Sequence, residues 1–112
     1  MARRFPRHSK RLLKALHRLG YSLQPGRGDH VKALFITPCA DGSDFKLSFP
    51  VDHGEIPEGT FQAILHQAGG LSEEQLWGAL DGTFTVSDYR TFIAGKSREE
   101  LLRLTLGRRF RQ

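Results

Sequence analysis

The predicted fold follows from one stretch, Val31 to Pro50, which reads VKALFITPCADGSDFKLSFP. Up to Thr37 it is almost continuously apolar, which predicts a strand buried in a sheet. The Asp41-Gly42 pair, within the segment Pro38 to Asp44, is a turn signal. From Phe45 to Phe49, apolar side chains alternate with Lys and Ser, the period-2 pattern of a strand with one face in water. The stretch therefore predicts two consecutive strands joined by a turn.

A helix and a short strand are predicted before this stretch. Leucines at helical spacing define a helix from Lys10 to about Leu19. Ser9 is its predicted N-cap, and Gly20 is the residue that ends it. Tyr21 to Gln24 predicts a short strand. Pro25 excludes a central position for that strand because proline cannot donate a ladder hydrogen bond.

Helices are predicted after the stretch. Apolar residues at helical spacing follow Pro57, which suits a first helical turn, and Gly69-Gly70 ends this helix. Capping boxes that begin at serines predict two further short helices, near Glu73–Leu80 and Arg98–Leu106. The segment Val86–Ala94 is ambiguous between helix and strand, and we favour a helix.

The predicted order α-β-β-β-α defines the fold class. Three antiparallel strands with helices on one face make an α+β fold, here like that of double-stranded-RNA-binding domains. We assign this fold to residues 1–76 and a helical C-terminal extension, packed on or next to it, to residues 77–112. A chain of 112 residues suits one compact domain with an appendage.

The charge of the chain is uneven. The net charge is +5, and the first acidic residue in the chain is Asp29. A basic N-terminal face points to nucleic acid or to an acidic partner protein; a solvated helix face and a transit peptide are the alternatives. No apolar run is long enough for a membrane span, and the single Cys39 fits a reducing compartment, so we expect a cytoplasmic protein. The basic residues before the first acid are Arg3, Arg4, Arg7, Lys10, Arg11, Lys14, Arg18 and Arg27.

Several motifs resemble HicA-type mRNA interferase toxins. The first set comprises KRLLKAL from Lys10, LGY from Leu19, and GDH from Gly28 to His30. The second is PVDHGEIPEGT from Pro50, which runs on into ILHQAG from Ile64. The resemblance covers residues 9–76. It implies a small toxin that cleaves RNA, is silenced by a HicB-type antitoxin, and uses His30 as its catalytic residue.

The chemistry of RNA cleavage is compatible with this assignment. RNA carries its own nucleophile, the 2′-OH, so cleavage needs a proton acceptor and donor, which an imidazole supplies, and positive charge on the phosphate. We expect Lys32 to share a strand face with His30 and, with Arg27, to supply that charge. Gly28 would let a phosphate approach the backbone closely. Asp29 departs from the family pattern, in which a small residue, usually serine, is common at this position. A carboxylate beside the histidine would repel an incoming phosphate.

Further residues complete the predicted site. Lys10, Arg11 and Lys14, on the basic helix, are predicted to bind RNA phosphates. His53 is a possible accessory residue. No metal or other cofactor is expected. His30 and His53 have no cysteine beside them to act as a further ligand, and their spacing is not that of a zinc site.

Two other functions compete with the toxin interpretation. One is a non-catalytic RNA-binding module of the same fold, which binds through shape and phosphates. The other is an adaptor whose basic helix docks an acidic partner protein. For the toxin we expect mRNA and a HicB-type antitoxin as partners, and a monomer in isolation.

Overall fold

The computed structural model describes residues 4–28 and 30–106. Asp29, which the sequence predicts to repel phosphate, lies outside the described residues. The last six residues of the predicted extension also lie outside them. The described chain forms a small α+β domain with one three-stranded antiparallel sheet and five helices. The elements are α1 (Ser9–Arg18), β1 (Ser22–Pro25), β2 (Val31–Pro38), β3 (Asp44–Val51), α2 (Glu58–Gln67), α3 (Glu73–Asp81), α4 (Val86–Ala94) and α5 (Arg98–Leu106).

The sheet has the order β1-β2-β3, so β2 is the central strand. In the β2–β3 hairpin, Pro38 lies opposite Asp44 and Val31 lies opposite Val51. The reversal is tight because Gly42 has a φ of 85°, a conformation that side chains rarely adopt. The predicted turn and both predicted strands are therefore confirmed.

Within the described residues, helices cover only one face of the sheet. On β2 and β3 every second side chain is buried, and the residues between them are largely exposed. The prediction that the apolar content of β2 reflects burial is wrong for its outer face, where Ile36 is 51% exposed. The reason is that the helices pack on the inner face alone. The inner-face residues are Ala33, Phe35, Thr37, Phe45, Leu47, Phe49 and Val51.

Helix α1 begins differently from the prediction. Ser9 is the first helical residue, and the N-cap is His8, whose Nδ1 accepts a hydrogen bond from the Lys10 backbone over 3.2 Å. The Ser9 hydroxyl instead accepts from the backbone N–H of Gly54 at 2.9 Å. The serine therefore fastens the start of α1 to the loop after β3, a long-range contact that local capping rules do not anticipate.

Side-chain caps begin α3, α4 and α5, whereas α2 begins without a side-chain capping hydrogen bond. Pro57 is the N-cap of α2 rather than part of its first turn. The Ser72–Gln75 capping box of α3 is complete, and Thr85 and Asp88 form another at the start of α4. At α5 only one half of the predicted box forms: Ser97 accepts from the Glu100 backbone at 3.0 Å.

The last three helices share the core of the sheet domain. Helix α3 packs on α1, α4 on β2 and α5 on α2. Tyr89, Ile93 and Leu101 are fully buried in the same cluster as Leu12 and Phe61. The predicted boundary between residues 76 and 77 lies within α3, so the described core runs without a break across it.

Candidate functional site

The loop between β1 and β2 fixes the backbone of His30. The Gly26 N–H donates to the His30 carbonyl at 2.9 Å, and the His30 N–H donates to the Arg27 carbonyl at 3.1 Å. The second bond closes a tight turn in which Gly28 has a φ of 57°, so a residue with a side chain would be strained there. His30 is thereby held at the entrance of the central strand.

At Gly26 a side chain is disfavoured by close contact rather than by backbone strain. A Cβ at this position would lie 3.1 Å from the His30 carbonyl oxygen, closer than ordinary van der Waals contact. A larger residue would therefore displace the backbone that carries the imidazole. The two glycines thus fix the backbone geometry of the loop that carries His30.

A shallow depression lies beside His30. Its volume is about 300 Å³, and it includes open-face residues from both β2 and β3. Of the residues singled out from the sequence, it brings together His30, Arg27 and Lys32, all of them exposed. Gly28 belongs to the same loop but does not line the depression. The lining residues are Gly26, Arg27, His30, Lys32, Ser48, Phe49 and Pro50.

The imidazole of His30 has a carboxylate partner that the sequence interpretation missed. Its Nδ1 contacts Oδ1 of Asp52. The contact follows from the hairpin register: Val31 pairs with Val51, so the next residues outward, His30 and Asp52, also face each other. Extending the hairpin outward from its turn is the signal that would have identified Asp52.

Helix α1, the predicted basic helix, contributes to a second surface that is separate from the depression at His30. Arg11 and Lys14 line a second depression, of about 420 Å³, whose other walls come from α3: Trp77, Leu80 and Asp81. Neither cation lines the depression at His30. The structure therefore separates Arg11 and Lys14 from Arg27 and Lys32.

The remaining candidates lie outside both depressions. Lys10 is exposed in the first turn of α1. His53 is exposed in the loop after β3, next to Asp52 in the chain, and does not line the depression at His30. Within residues 4–28 and 30–106, no group of three or more potential metal ligands occurs. No helix in that same part is both long and apolar enough to cross a bilayer.

The segment EIPEGT anchors the N-terminal residues. Arg7 donates to both oxygens of Glu58 and of Glu73 over 3.0–3.2 Å. Hydrogen bonds from Arg7 hold the pKa of Glu58 below its usual value. Burial alone would raise the pKa of Glu73, but hydrogen bonds from Arg7 and from the Phe5 backbone bring it below its usual value. These carboxylates have structural partners, and we assign them no catalytic role.

The arrangement at His30 suits acid–base chemistry on an anionic substrate. The imidazole is 47% exposed, so a substrate can reach it, and Arg27 and Lys32 place positive charge around the same depression. Among the described residues, Nε2 of His30 has no hydrogen-bond partner.

Comparisons of the chain with models of protein families, with curated proteins and with solved structures find no match.

Proposed function

We propose that this protein is the toxin component of a type II toxin–antitoxin system, an endoribonuclease that cleaves mRNA with His30 as the catalytic acid and base. The observation that supports this most is the grouping of His30 with Arg27 and Lys32 around one depression on the open face of the sheet. The motifs from Gly28 to His30 and from Pro50 to Thr60, which resemble HicA-type toxins, add to it.

The proposed reaction uses the nucleophile that RNA itself carries. Neutral His30 accepts the proton of a 2′-OH while the 2′ oxygen bonds to the adjacent phosphorus. The bond from phosphorus to the 5′ oxygen breaks, and that oxygen takes a proton from the imidazolium, which leaves a cyclic phosphate. Arg27 and Lys32 stabilise the negative charge on the phosphate. The route uses no metal or other cofactor.

The biological setting is part of the proposal. The three-stranded sheet with helices on one face is compatible with the fold of double-stranded-RNA-binding domains. We propose a HicB-type antitoxin as the protein partner and the cytoplasm as the compartment. An antitoxin that covers His30 would exclude RNA from the exposed imidazole, which is the simplest way to silence it.

A second candidate function is supported by the depression between α1 and α3. Its basic residues, Arg11 and Lys14, also suit a non-catalytic RNA-binding module that binds through shape and phosphates. The same cations would suit an adaptor that docks an acidic protein. Both of these functions tolerate the loss of His30, whereas the toxin does not.

The test is cleavage of an unstructured RNA by the full-length chain. His30→Ala should reduce the rate roughly 10²–10⁴-fold, the range that general acid–base catalysis contributes. His66→Ala is the matched control, because His66 is an exposed histidine on α2 away from the depression. Replacing the 2′-OH at the cleaved position by hydrogen should also stop the reaction. If His30→Ala and wild type cleave RNA equally fast, the assignment of His30 is wrong.

A further inference from the structure

Asp52 occupies a defined place relative to His30. The two residues follow the last β2–β3 pair, Val31 opposite Val51. Two steps along each strand from Lys32 and Pro50, they lie on the same open face of the sheet. The contact of His30 with Asp52 is therefore a cross-strand contact set by the hairpin register.

On the β1 side, the residue opposite His30 is Gly26, which has no side chain. The Gly26 N–H donates to the His30 carbonyl. Asp52 is thus the cross-strand neighbour, within the described chain, that restrains the orientation of the imidazole. The aspartate side chain is 56% exposed, so its replacement does not open the core.

The atoms in contact determine the tautomer of the imidazole. A carboxylate only accepts hydrogen bonds, so the Nδ1 that faces Asp52 carries the proton. In the neutral ring, Nε2 then holds the lone pair. Nε2 is also the nitrogen without a partner among the described residues. This is the tautomer that accepts the proton of a 2′-OH through Nε2.

We infer that Asp52 is a positioning residue: it holds His30 in the Nδ1–H tautomer and directs Nε2 to the substrate. The inference rests on the proposed function for its catalytic consequence. Its structural half, the control of tautomer and orientation, does not depend on catalysis. A second consequence is that Asp52 stabilises the imidazolium that forms when the ring has accepted the proton.

The experiment compares Asp52→Ala with Asp44→Ala in the full-length chain. Asp44 is also exposed, at the opposite end of β3, so both variants change the net charge equally while only one touches His30. Nitrogen chemical shifts of the imidazoles report the tautomer, and the His30 signal is identified by its loss in His30→Ala. The rate of RNA cleavage is measured on the same samples, with amide spectra as a check of folding.

We expect Asp52→Ala to shift His30 towards the Nε2–H tautomer and to slow cleavage about 10- to 100-fold, less than the loss of the general acid–base residue itself. Asp44→Ala should leave both readouts unchanged. A wild-type tautomer and rate in Asp52→Ala would overturn the inference. Absence of cleavage by the wild-type chain would overturn the proposed function alone, because the tautomer readout needs no activity.

Discussion

The hydroxyl oxygen of Tyr21 lies 2.8 Å from the hydroxyl oxygen of Tyr89 in the core. Tyr89 donates its own hydrogen to the carbonyl of Ala68 at 2.6 Å, so Tyr21 must donate to Tyr89. Burial raises the pKa of both phenols, which keeps them protonated as donors. This chain of two hydrogen bonds joins the residue before β1 to α4 and to the end of α2.

Removing the Tyr89 hydroxyl should cost more than removing that of Tyr21. Tyr89→Phe leaves both the Tyr21 hydroxyl and the Ala68 carbonyl unpaired, and we expect a loss of about 2–3 kcal/mol in the free energy of unfolding. Tyr21→Phe leaves the bond from Tyr89 to Ala68 intact and should cost about 1 kcal/mol. Urea denaturation measures both. Equal losses would contradict the assigned donor directions.

Thr37 offers the opposite effect on stability. Its side-chain oxygen is buried and, in the described chain, has no hydrogen-bond partner. Thr37→Val replaces this hydroxyl by a methyl group of similar shape, so we expect the free energy of unfolding to rise by about 1 kcal/mol. Thr37→Ser is the control, because it keeps the unpaired hydroxyl and loses the methyl group, and it should be destabilising.

Much of the sheet was predictable from local patterns. The alternation from Phe45 to Phe49 and the turn at Asp41-Gly42 placed β3 and the hairpin correctly, because both features are set by neighbouring residues. The exposure of Ile36 was missed because the near-continuous apolar run of β2 was interpreted as burial on both faces, although the predicted fold itself places the helices on one face of the sheet. Ser9 was misassigned for a different reason: its hydroxyl bonds to Gly54, which is distant in the sequence.

The candidate site was predictable only where its residues are close in sequence. Arg27, His30 and Lys32 are close in sequence, and a strand with a tight turn before it brings them together. Asp52 is distant in sequence and needs the hairpin register, although counting outward from Asp41 pairs it with His30. The separation of Arg11 from this depression depends on how α1 packs against α3, which no local pattern encodes.

Acid should destabilise the fold through Glu73. Its pKa is below the usual value of an unfolded glutamate because hydrogen bonds from Arg7 and Phe5 outweigh its burial. The resulting stability is fully present above the unfolded pKa and is lost as the pH falls through the folded pKa. We expect the midpoint of urea unfolding to fall between pH 5 and about pH 3. Glu73→Gln should be less stable at pH 7 and flatter in this window; an unchanged pH dependence would contradict the role of Glu73.

The last prediction separates the two basic surfaces. Lys32→Glu removes a cation from the depression at His30, so we expect cleavage to slow even at saturating RNA. Lys46→Glu is its matched control, an exposed lysine on the same open face of the sheet but outside that depression.

Reversal of Lys10, Arg11 and Lys14 should instead weaken binding to unrelated RNA sequences and leave the rate at saturation unchanged. Each lost phosphate contact reduces the salt dependence of log affinity by about one unit of slope. RNA affinity at several salt concentrations, with single-turnover cleavage, measures both effects. If RNA affinity does not depend on salt in the wild-type chain, the basic helix does not bind RNA phosphates, because phosphate binding by cations must release counterions. That result would favour the adaptor hypothesis instead.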